Sequence, residues 1–215
     1  MYCNTEVLVS ENALNAAREL AAGMDPTTAA SHSGARYEGD ASHGRFMLRF
    51  LGDEVAISFP EFDFDAGCSL PPHVRALLVH YLARSAGAEP VGPWQAFADL
   101  PDGRFYARAF QGYTGDALAR RLADRTGLDA RVAVLGGRTM AREELATNAD
   151  GAWFVPGLPR VPVAVVWWDA DDEFPARAEL LFDASASSHL PTDGCAVLGS
   201  WLTTRLVAEV ERSER

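Results

Sequence analysis

The sequence predicts a single α+β domain, in which hairpins form an antiparallel, in part mixed, sheet and helices pack against it. Two observations predict this class. Segments with apolar residues at every second position lie next to each other in the chain, and segments with helical apolar spacing are grouped between them. A length of 215 residues suits one medium domain. We expect residues 1–44 to form an N-terminal helix with a flexible connector, and residues 45–215 to form the domain.

The N-terminal arm begins with a predicted amphipathic helix over residues 10–24, whose helix-forming residues end near Gly23 and Pro26. Residues 25–43 are rich in alanine, serine, threonine and glycine, which predicts an exposed connector. The arm is therefore expected to contribute one helix.

The next two elements are a predicted hairpin and a predicted helix. Residues 45–51 and 54–59 alternate apolar and polar side chains across a short turn that contains glycine, a pattern typical of an antiparallel hairpin. Pro71 and Pro72 then open a helix in which apolar residues recur at helical spacing up to Leu82. We expect each element to bury one apolar face.

The middle of the chain contains two predicted helices and one ambiguous segment. Residues 105–110 and 115–126 have the composition and spacing of helices. Residues 131–142 carry two adjacent glycines, which favours a second hairpin without excluding another structure. Residues 146–162 are expected to form a loop.

The C-terminal part of the chain holds its densest apolar run, residues 161–168, and its tightest acidic cluster. Residues 163–168 are predicted to pair with residues 177–183 as a hairpin whose tip is residues 169–176. A final helix is predicted over residues 192–211, with leucines and a tryptophan on its buried face.

The hairpin tip carries four carboxylates in five residues, namely Asp169, Asp171, Asp172 and Glu173. They are candidate ligands of a hard metal cation, although the spacing lacks the glycine and the final glutamate of a calcium-binding loop. The alternative is a solvated turn that keeps the hairpin soluble. Asp183 lies about six residues along the return strand, roughly 20 Å away at about 3.3 Å per residue, so it cannot share one ion with the tip.

Asp183 and His189 are the candidate catalytic pair, and the small residues between them allow a tight turn. The pair suits a base with its orienting carboxylate, or two metal ligands. The alternative is that Asp183 caps the turn by accepting backbone N–H groups while His189 packs against the final helix. His80 is a further candidate that the fold would have to bring near, and its alternative is a half-buried histidine beside an apolar helix face.

Three tryptophans, Trp94, Trp167 and Trp168, are candidate cofactor-binding residues. Because successive side chains of a strand alternate, Trp167 and Trp168 are predicted to lie on opposite faces. The indoles would line an aromatic cavity for a flat ligand, whereas their alternative role is packing in the core. These residues identify no particular cofactor.

The composition excludes several classes of function. A net charge of −11, with no basic stripe among aromatic residues, would repel nucleic acid. All 19 residues of the lysine and arginine class are arginine, which excludes Schiff-base chemistry and a P-loop lysine. The motifs GxSxG, HExxH and GxGxxG are absent, so the sequence leaves open whether the protein is an enzyme.

The compartment follows from cysteine usage and from the lack of long apolar runs. Cys3, Cys68 and Cys195 form no CxxC pair, which argues against a disulfide framework and against a metal site made by this chain alone. The densest apolar run is far shorter than the roughly 20 residues of a membrane span, and no secretory signal is predicted. We therefore expect a cytoplasmic protein that does not enter the membrane.

Residues 77–87, 94–110, 134–137 and 159–191 together resemble an uncharacterised bacterial family, the domain-of-unknown-function family 3786. The resemblance extends from about residue 45 onward, and its most specific part is PRVPVAVVWWDADDEFPARAELLFDASASSHLP. Members of that family are typical of anaerobes, and some are linked to an iron–sulfur domain like that of corrinoid one-carbon proteins. The resemblance therefore implies accessory work near a corrinoid or iron–sulfur protein. It supplies no catalytic residue, and this chain lacks the cysteine-rich domain of the fused members.

Two main hypotheses of function follow. The first is a non-catalytic accessory module of anaerobic metabolism, which binds a small cofactor or a partner protein through the aromatic faces near Trp167 and Trp168. The alternative is a metal-dependent hydrolase that uses Asp183 and His189. A subunit whose sheet edge or final helix is buried in an oligomer is a third possibility.

Overall fold

The computed structural model of the chain describes residues 3–122, 124–145 and 147–213. Within these ranges it contains seven α-helices and two antiparallel sheets, which confirms the predicted α+β class. The helices are α1 Cys3–Ala21, α2 Pro26–Ser33, α3 Pro72–Arg84, α4 Ala107–Tyr113, α5 Gly115–Leu122, α6 Leu128–Val134 and α7 Thr192–Ser213. The strands are β1 Arg36–Gly39, β2 Gly44–Phe50, β3 Asp53–Phe59, β4 Trp94–Ala96, β5 Arg138–Thr139, β6 Gly151–Leu158, β7 Val161–Trp168 and β8 Arg177–Asp183. In the part of the chain so described, no helix is both long enough and apolar enough to cross a membrane.

The smaller sheet contains the first predicted hairpin. Strands β2 and β3 pair antiparallel in the register that the alternation predicts, and β1 adds a third strand beside β2. Most of residues 25–43 are exposed, as expected, but the prediction of a connector was wrong, because this segment contains both α2 and β1. Asp25 caps α2 by accepting a hydrogen bond from the Thr28 backbone N–H at 2.7 Å, and Tyr37 of β1 packs on Phe46 at 4.8 Å between ring centroids.

The larger sheet has the strand order β4-β8-β7-β6-β5. The predicted hairpin of β7 and β8 is confirmed, and Val163 pairs with Phe182 while Trp168 pairs with Arg177. The prediction of a loop over residues 146–162 was wrong from residue 151 onward, because β6 lies there; residue 146 is outside the described residues. Pro156 lies within β6 where the register with β7 shifts, the position at which a strand tolerates proline.

Three further predictions in the middle of the chain need correction. Residues 131–142 do not form a hairpin: Leu128, Val132 and Leu135 are buried at helical spacing and form the apolar face of α6 and its C-terminus, so that β5 retains only two residues. The helix predicted over residues 105–110 is a 3₁₀ turn followed by α4, and the helix predicted over residues 115–126 ends earlier, at Leu122, with residue 123 outside the described residues.

The two faces of the five-stranded sheet differ in what covers them. The inner face packs against the helices in the main core and carries Trp153, Val155, Val163, Val165, Trp167, Leu180 and Phe182. The outer face carries Trp94, Phe154, Ala164, Val166, Trp168 and Leu181, and it is covered by Met140, Leu145 and Ala149. This cover is partial, and the uncovered part of the outer face forms the site described below.

A close approach of α5 to β8 requires glycine at residue 115. A Cβ atom on Gly115 would lie 2.1 Å from the Ala178 carbonyl oxygen, a backbone atom that cannot turn away. We expect Gly115→Ala to lower the free energy of unfolding by about 1 to 3 kcal/mol, because the helix must move off the strand. Urea unfolding measures this change.

Gly112→Ala is the matched control for that experiment, since a Cβ atom on Gly112 would have no atom within 4 Å. Gly112 lies inside α4, where alanine is expected to be neutral or to stabilise by up to about 1 kcal/mol. Equal effects of the two substitutions would contradict the described contact between α5 and β8.

Candidate functional site

A cleft of about 770 Å³ opens on the outer face of the larger sheet. The loop that precedes β4 forms one wall, and β5 with residues 140–145 and residue 147 forms the other. The cleft is lined by Pro90, Val91, Gly92, Pro93, Trp94, Arg138, Met140, Glu143, Glu144, Leu145, Thr147, Phe154, Pro162, Leu181 and Asp183. Its volume lies within the range of roughly 300 to 1,000 Å³ that is usual for small-molecule sites.

Asp183 and Trp94 lie side by side in the cleft. They are directly opposite each other in the antiparallel pairing of β8 with β4, so their side chains emerge on the same face of the sheet. Asp183 is only 3% exposed. Its Oδ2 accepts a hydrogen bond from the Gly92 backbone N–H at 2.6 Å, and its Oδ1 accepts one from the Ser185 backbone N–H at 2.9 Å. The carboxylate thereby holds both the wall of the cleft and the turn that follows β8.

Arg138 and Glu144 form a charged pair at the opposite edge of the cleft. The two guanidinium N–H groups donate to the two carboxylate oxygens at 2.9 and 2.6 Å. The Arg138 hydrogen bonds, followed by one from the Ala141 backbone N–H, lower the pKa of Glu144 to about 2. The Arg138 guanidinium also lies over the Phe154 ring, 5.3 Å from its centroid. The Arg138 guanidinium is therefore held in place by Glu144 and by the Phe154 ring.

The aromatic residues of the cleft are Trp94 and Phe154. Their ring centroids are 6.3 Å apart and the planes meet at 78°, an edge-to-face arrangement that orients both rings. Leu181 lies beside them on the sheet. The floor is therefore apolar and aromatic, with charged groups at its edges, as is usual for a site that binds a small molecule.

The other two predicted tryptophans lie outside this cleft. Trp167 is fully buried in the inner core and Trp168 emerges on the outer face, as the strand alternation predicts. The Trp168 ring lies beneath the Arg177 guanidinium at 4.6 Å, at the far end of β7 from Asp183. The structure therefore brings Trp94 to the cleft, places Trp168 on the same face at a distance, and places Trp167 in the core.

His189 is held by hydrogen bonds on both ring nitrogens. Its Nε2 lies 2.9 Å from the Ala88 carbonyl oxygen, which only accepts, so Nε2 carries the proton and Nδ1 accepts from the Ser85 hydroxyl at 3.3 Å. Burial lowers the pKa of His189, opposed by the bond to Ala88. The neighbouring Tyr81 hydroxyl donates to the Ser33 carbonyl oxygen and accepts from the Arg160 backbone N–H, and burial raises its pKa.

This arrangement does not favour the hydrolase hypothesis. Neither ring nitrogen of His189 is available to a metal or a water molecule without breaking a hydrogen bond. Asp183 caps the 3₁₀ turn Ala184–Ser188, which is the structural alternative given above. Among the described residues, no group of three or more His, Cys, Asp or Glu side chains is arranged to hold a metal ion.

His80 lies at a different place, in a groove of about 510 Å³ between α1, α3 and the start of α7. His73 lines the same groove, and burial lowers the pKa of both histidines. The structure therefore does not bring His80 to Asp183.

Two of the four carboxylates of the hairpin tip, Asp169 and Asp171, make hydrogen bonds of their own, and the four are not arranged around one metal site. Asp169 accepts hydrogen bonds from the Arg125 guanidinium at 3.0 and 2.9 Å and from the Trp167 indole at 3.0 Å. Asp171 accepts from the backbone N–H groups of Glu173 and Phe174, which lower its pKa. Asp172 is exposed. These contacts are those of a solvated turn with its own hydrogen bonds.

Among the cleft residues that sequence reasoning did not single out are Arg138, Glu144 and Phe154. Phe154 lies in a strand that was predicted as a loop, and Arg138 lies in a segment that was predicted as a hairpin. Only the pairing of β5 with β6 brings Arg138 next to Phe154. No local pattern in the sequence signals this contact.

A protein-family model matches residues 25–205 and is described as a domain of unknown function, DUF3786. The chain belongs to the DUF3786 family. The DUF3786 match includes every residue that lines the cleft, and it begins before residue 45, where the resemblance noted above begins. Searches of curated proteins and of solved structures gave no match.

Proposed function

We propose that this protein is a binding module that holds a small, flat molecule in the cleft on the outer face of its larger sheet. The observation that supports this proposal most strongly is the pairing of Trp94 with a buried carboxylate, Asp183, in an open cleft of suitable size. The aromatic ring offers a stacking surface, and the charged edges would orient the ligand.

The polar groups of the cleft suit binding better than catalysis. Arg138 and Glu144 neutralise each other, and Asp183 accepts two backbone hydrogen bonds. The described lining contains no histidine, cysteine or serine, and its carboxylate outside these contacts, that of Glu143, is exposed to solvent. The site is therefore proposed to recognise a molecule without transforming it.

The wider role proposed here is that of a cytoplasmic accessory protein in anaerobic bacterial metabolism, working beside a corrinoid or iron–sulfur protein. Support for this role comes from the resemblance to the family, some of whose members have such links, together with the family match over residues 25–205. Co-purification of a corrinoid or iron–sulfur protein with the tagged chain from an anaerobic host would support the role. Its absence from repeated anaerobic purifications would count against it.

Tryptophan fluorescence tests the binding site directly. We expect saturable quenching on titration with at least one member of a panel of flavins, tetrapyrroles, cobalamins and aromatic amines, because a ligand in the cleft would stack near Trp94. In Trp94→Phe the quenching is expected to fall by more than half, since the reporting indole is removed while an aromatic ring remains.

Trp201→Phe is the matched control, because Trp201 lies on α7 and does not line the cleft. This variant is expected to keep the quenching of the original protein. Failure of every compound in the panel to quench, or equal quenching in the Trp94 and Trp201 variants, would contradict the proposed site.

A further inference from the structure

We infer that the ligand of the cleft is an organic cation with a flat apolar body, and that Asp183 is the counter-ion of its ammonium or guanidinium group. This inference rests on the proposed function, since it names the chemical class that the proposed site would bind. It is carried by three observations, which concern the burial of Asp183, the charges around it, and the aromatic ring beside it.

Asp183 is a buried carboxylate that, among the described residues, has no arginine or histidine at ion-pair distance. The ion pairs of the described residues involve other carboxylates, and its own hydrogen bonds come from two neutral backbone N–H groups. A carboxylate has about four lone-pair sites, so two donors leave part of its capacity free. Buried charges in proteins are usually paired. A cation in the cleft would complete this set of contacts.

The nearby basic groups are already paired elsewhere. Arg160 forms an ion pair with Glu89, and its position near His189 helps to lower the pKa of that histidine, which favours the neutral ring. Arg138 is held by both oxygens of Glu144. Asp183 is therefore left for a cation that the protein itself does not supply.

The charged residues that line the cleft are one arginine against three carboxylates, namely Arg138 against Glu143, Glu144 and Asp183. With Arg138 held by Glu144, the remaining charges of the lining are negative. The chain as a whole carries a net charge of −11. This field attracts cations and repels phosphates and carboxylates. An anionic ligand would meet in Arg138 a cation whose charge Glu144 already neutralises.

The Trp94 indole lies next to Asp183, where it can contact a cation bound to that carboxylate. As the residue opposite Asp183 in an antiparallel pair, its Cβ is about 4.5 to 5.5 Å from that of Asp183. An ammonium group bound to the carboxylate can therefore lie against the indole, which attracts cations more strongly than other side-chain rings. The protein uses the same contact at the other edge of the cleft, where the Arg138 guanidinium lies over Phe154.

Three ligands of matched size and different charge test the inference, namely phenethylamine, 2-phenylethanol and phenylacetate. Their dissociation constants are measured by backbone amide NMR shifts at pH 7 with the full chain. We expect phenethylamine to bind about tenfold more tightly than 2-phenylethanol, and phenylacetate to bind most weakly, because only the amine pairs with Asp183.

In Asp183→Asn the preference for the amine over the alcohol is expected to disappear, since the side chain keeps its shape and loses its charge. Glu143→Gln, which alters an exposed carboxylate of the same lining, is expected to change the preference by less than about threefold. The comparison of the three ligands on the unmodified protein stands by itself if the Asp183 variant does not fold.

The outcomes separate the inference from the proposed function. Equal binding of the amine and the alcohol in the cleft would overturn the inference and leave the proposed function standing. Tightest binding of phenylacetate would overturn it in the same way. If none of the three ligands binds and the fluorescence panel also fails, the proposed function and the inference fall together.

Discussion

Trp167→Ala is expected to lower the free energy of unfolding by about 3 to 5 kcal/mol, the usual cost of removing a fully buried large aromatic side chain. Trp167 is 0% exposed and belongs to the main core on the inner face of the larger sheet. Its indole N–H also donates to Asp169, a bond that holds the hairpin tip and that alanine would remove. Chemical unfolding followed by circular dichroism measures the change.

Trp168 is the matched control, because it is the next residue of β7 and lies on the opposite face of the sheet. Trp168 is partly exposed on the outer face, beneath Arg177. Trp168→Ala is expected to cost about 1 to 2 kcal/mol, the loss of a cation–π contact and of partial burial. A larger loss in the Trp168 variant than in the Trp167 variant would contradict the assignment of the two faces.

His189→Ala is expected to cost about 2 to 4 kcal/mol and to weaken the pH dependence of stability. The substitution removes the buried His189 ring, which is the hydrogen-bond partner of the Ala88 carbonyl and the Ser85 hydroxyl. Because burial lowers the pKa of His189 in the folded protein, the unfolded chain binds the proton more readily. Stability is therefore highest above the ordinary histidine pKa of about 6.5 and falls as the pH drops below it.

Unfolding curves between pH 5 and pH 8 test this expectation. The loss of stability at low pH should be smaller in the His189 variant than in the unmodified protein, and a remainder should persist because burial also lowers the pKa of His73 and His80. His32→Ala, at an exposed position, is expected to change stability by less than about 0.5 kcal/mol. An unchanged pH profile in the His189 variant would show that its ring is not held in the neutral form.

Elements with a strong apolar signal could be predicted from the sequence, and elements with mixed signals could not. The hairpin of β2 with β3 has a period-two pattern, and the hairpin of β7 with β8 contains the densest apolar run of the chain; both were predicted correctly. Strand β6 was missed because Pro156 and two glycines dilute its pattern, and the structure accommodates the proline at a register shift. Strand β1 was missed because it is short and its burial depends on Tyr37 meeting β2, which is a tertiary contact.

The site could be predicted only in pieces. Asp183 and Trp94 were both candidates, but as members of separate groups, because no sequence pattern signals that the three-residue strand β4 pairs with the end of β8. Asp183 and His189 were paired in the prediction because they are close in the chain. In the structure the turn between them sends the two side chains to different hydrogen-bond networks. Chain distance was the wrong measure for this site, and strand pairing was the right one.

The central claim is that the cleft beside Trp94 and Asp183 is where this protein binds its ligand. The most direct measurement is a titration of the isotopically labelled protein with phenethylamine, followed by amide and indole NMR signals. We expect saturable shifts of the Gly92 and Ser185 amides, which donate to Asp183, and of the Trp94 indole N–H. Shifts that leave these three signals unchanged and fall instead on the groove of His73 and His80 would contradict it.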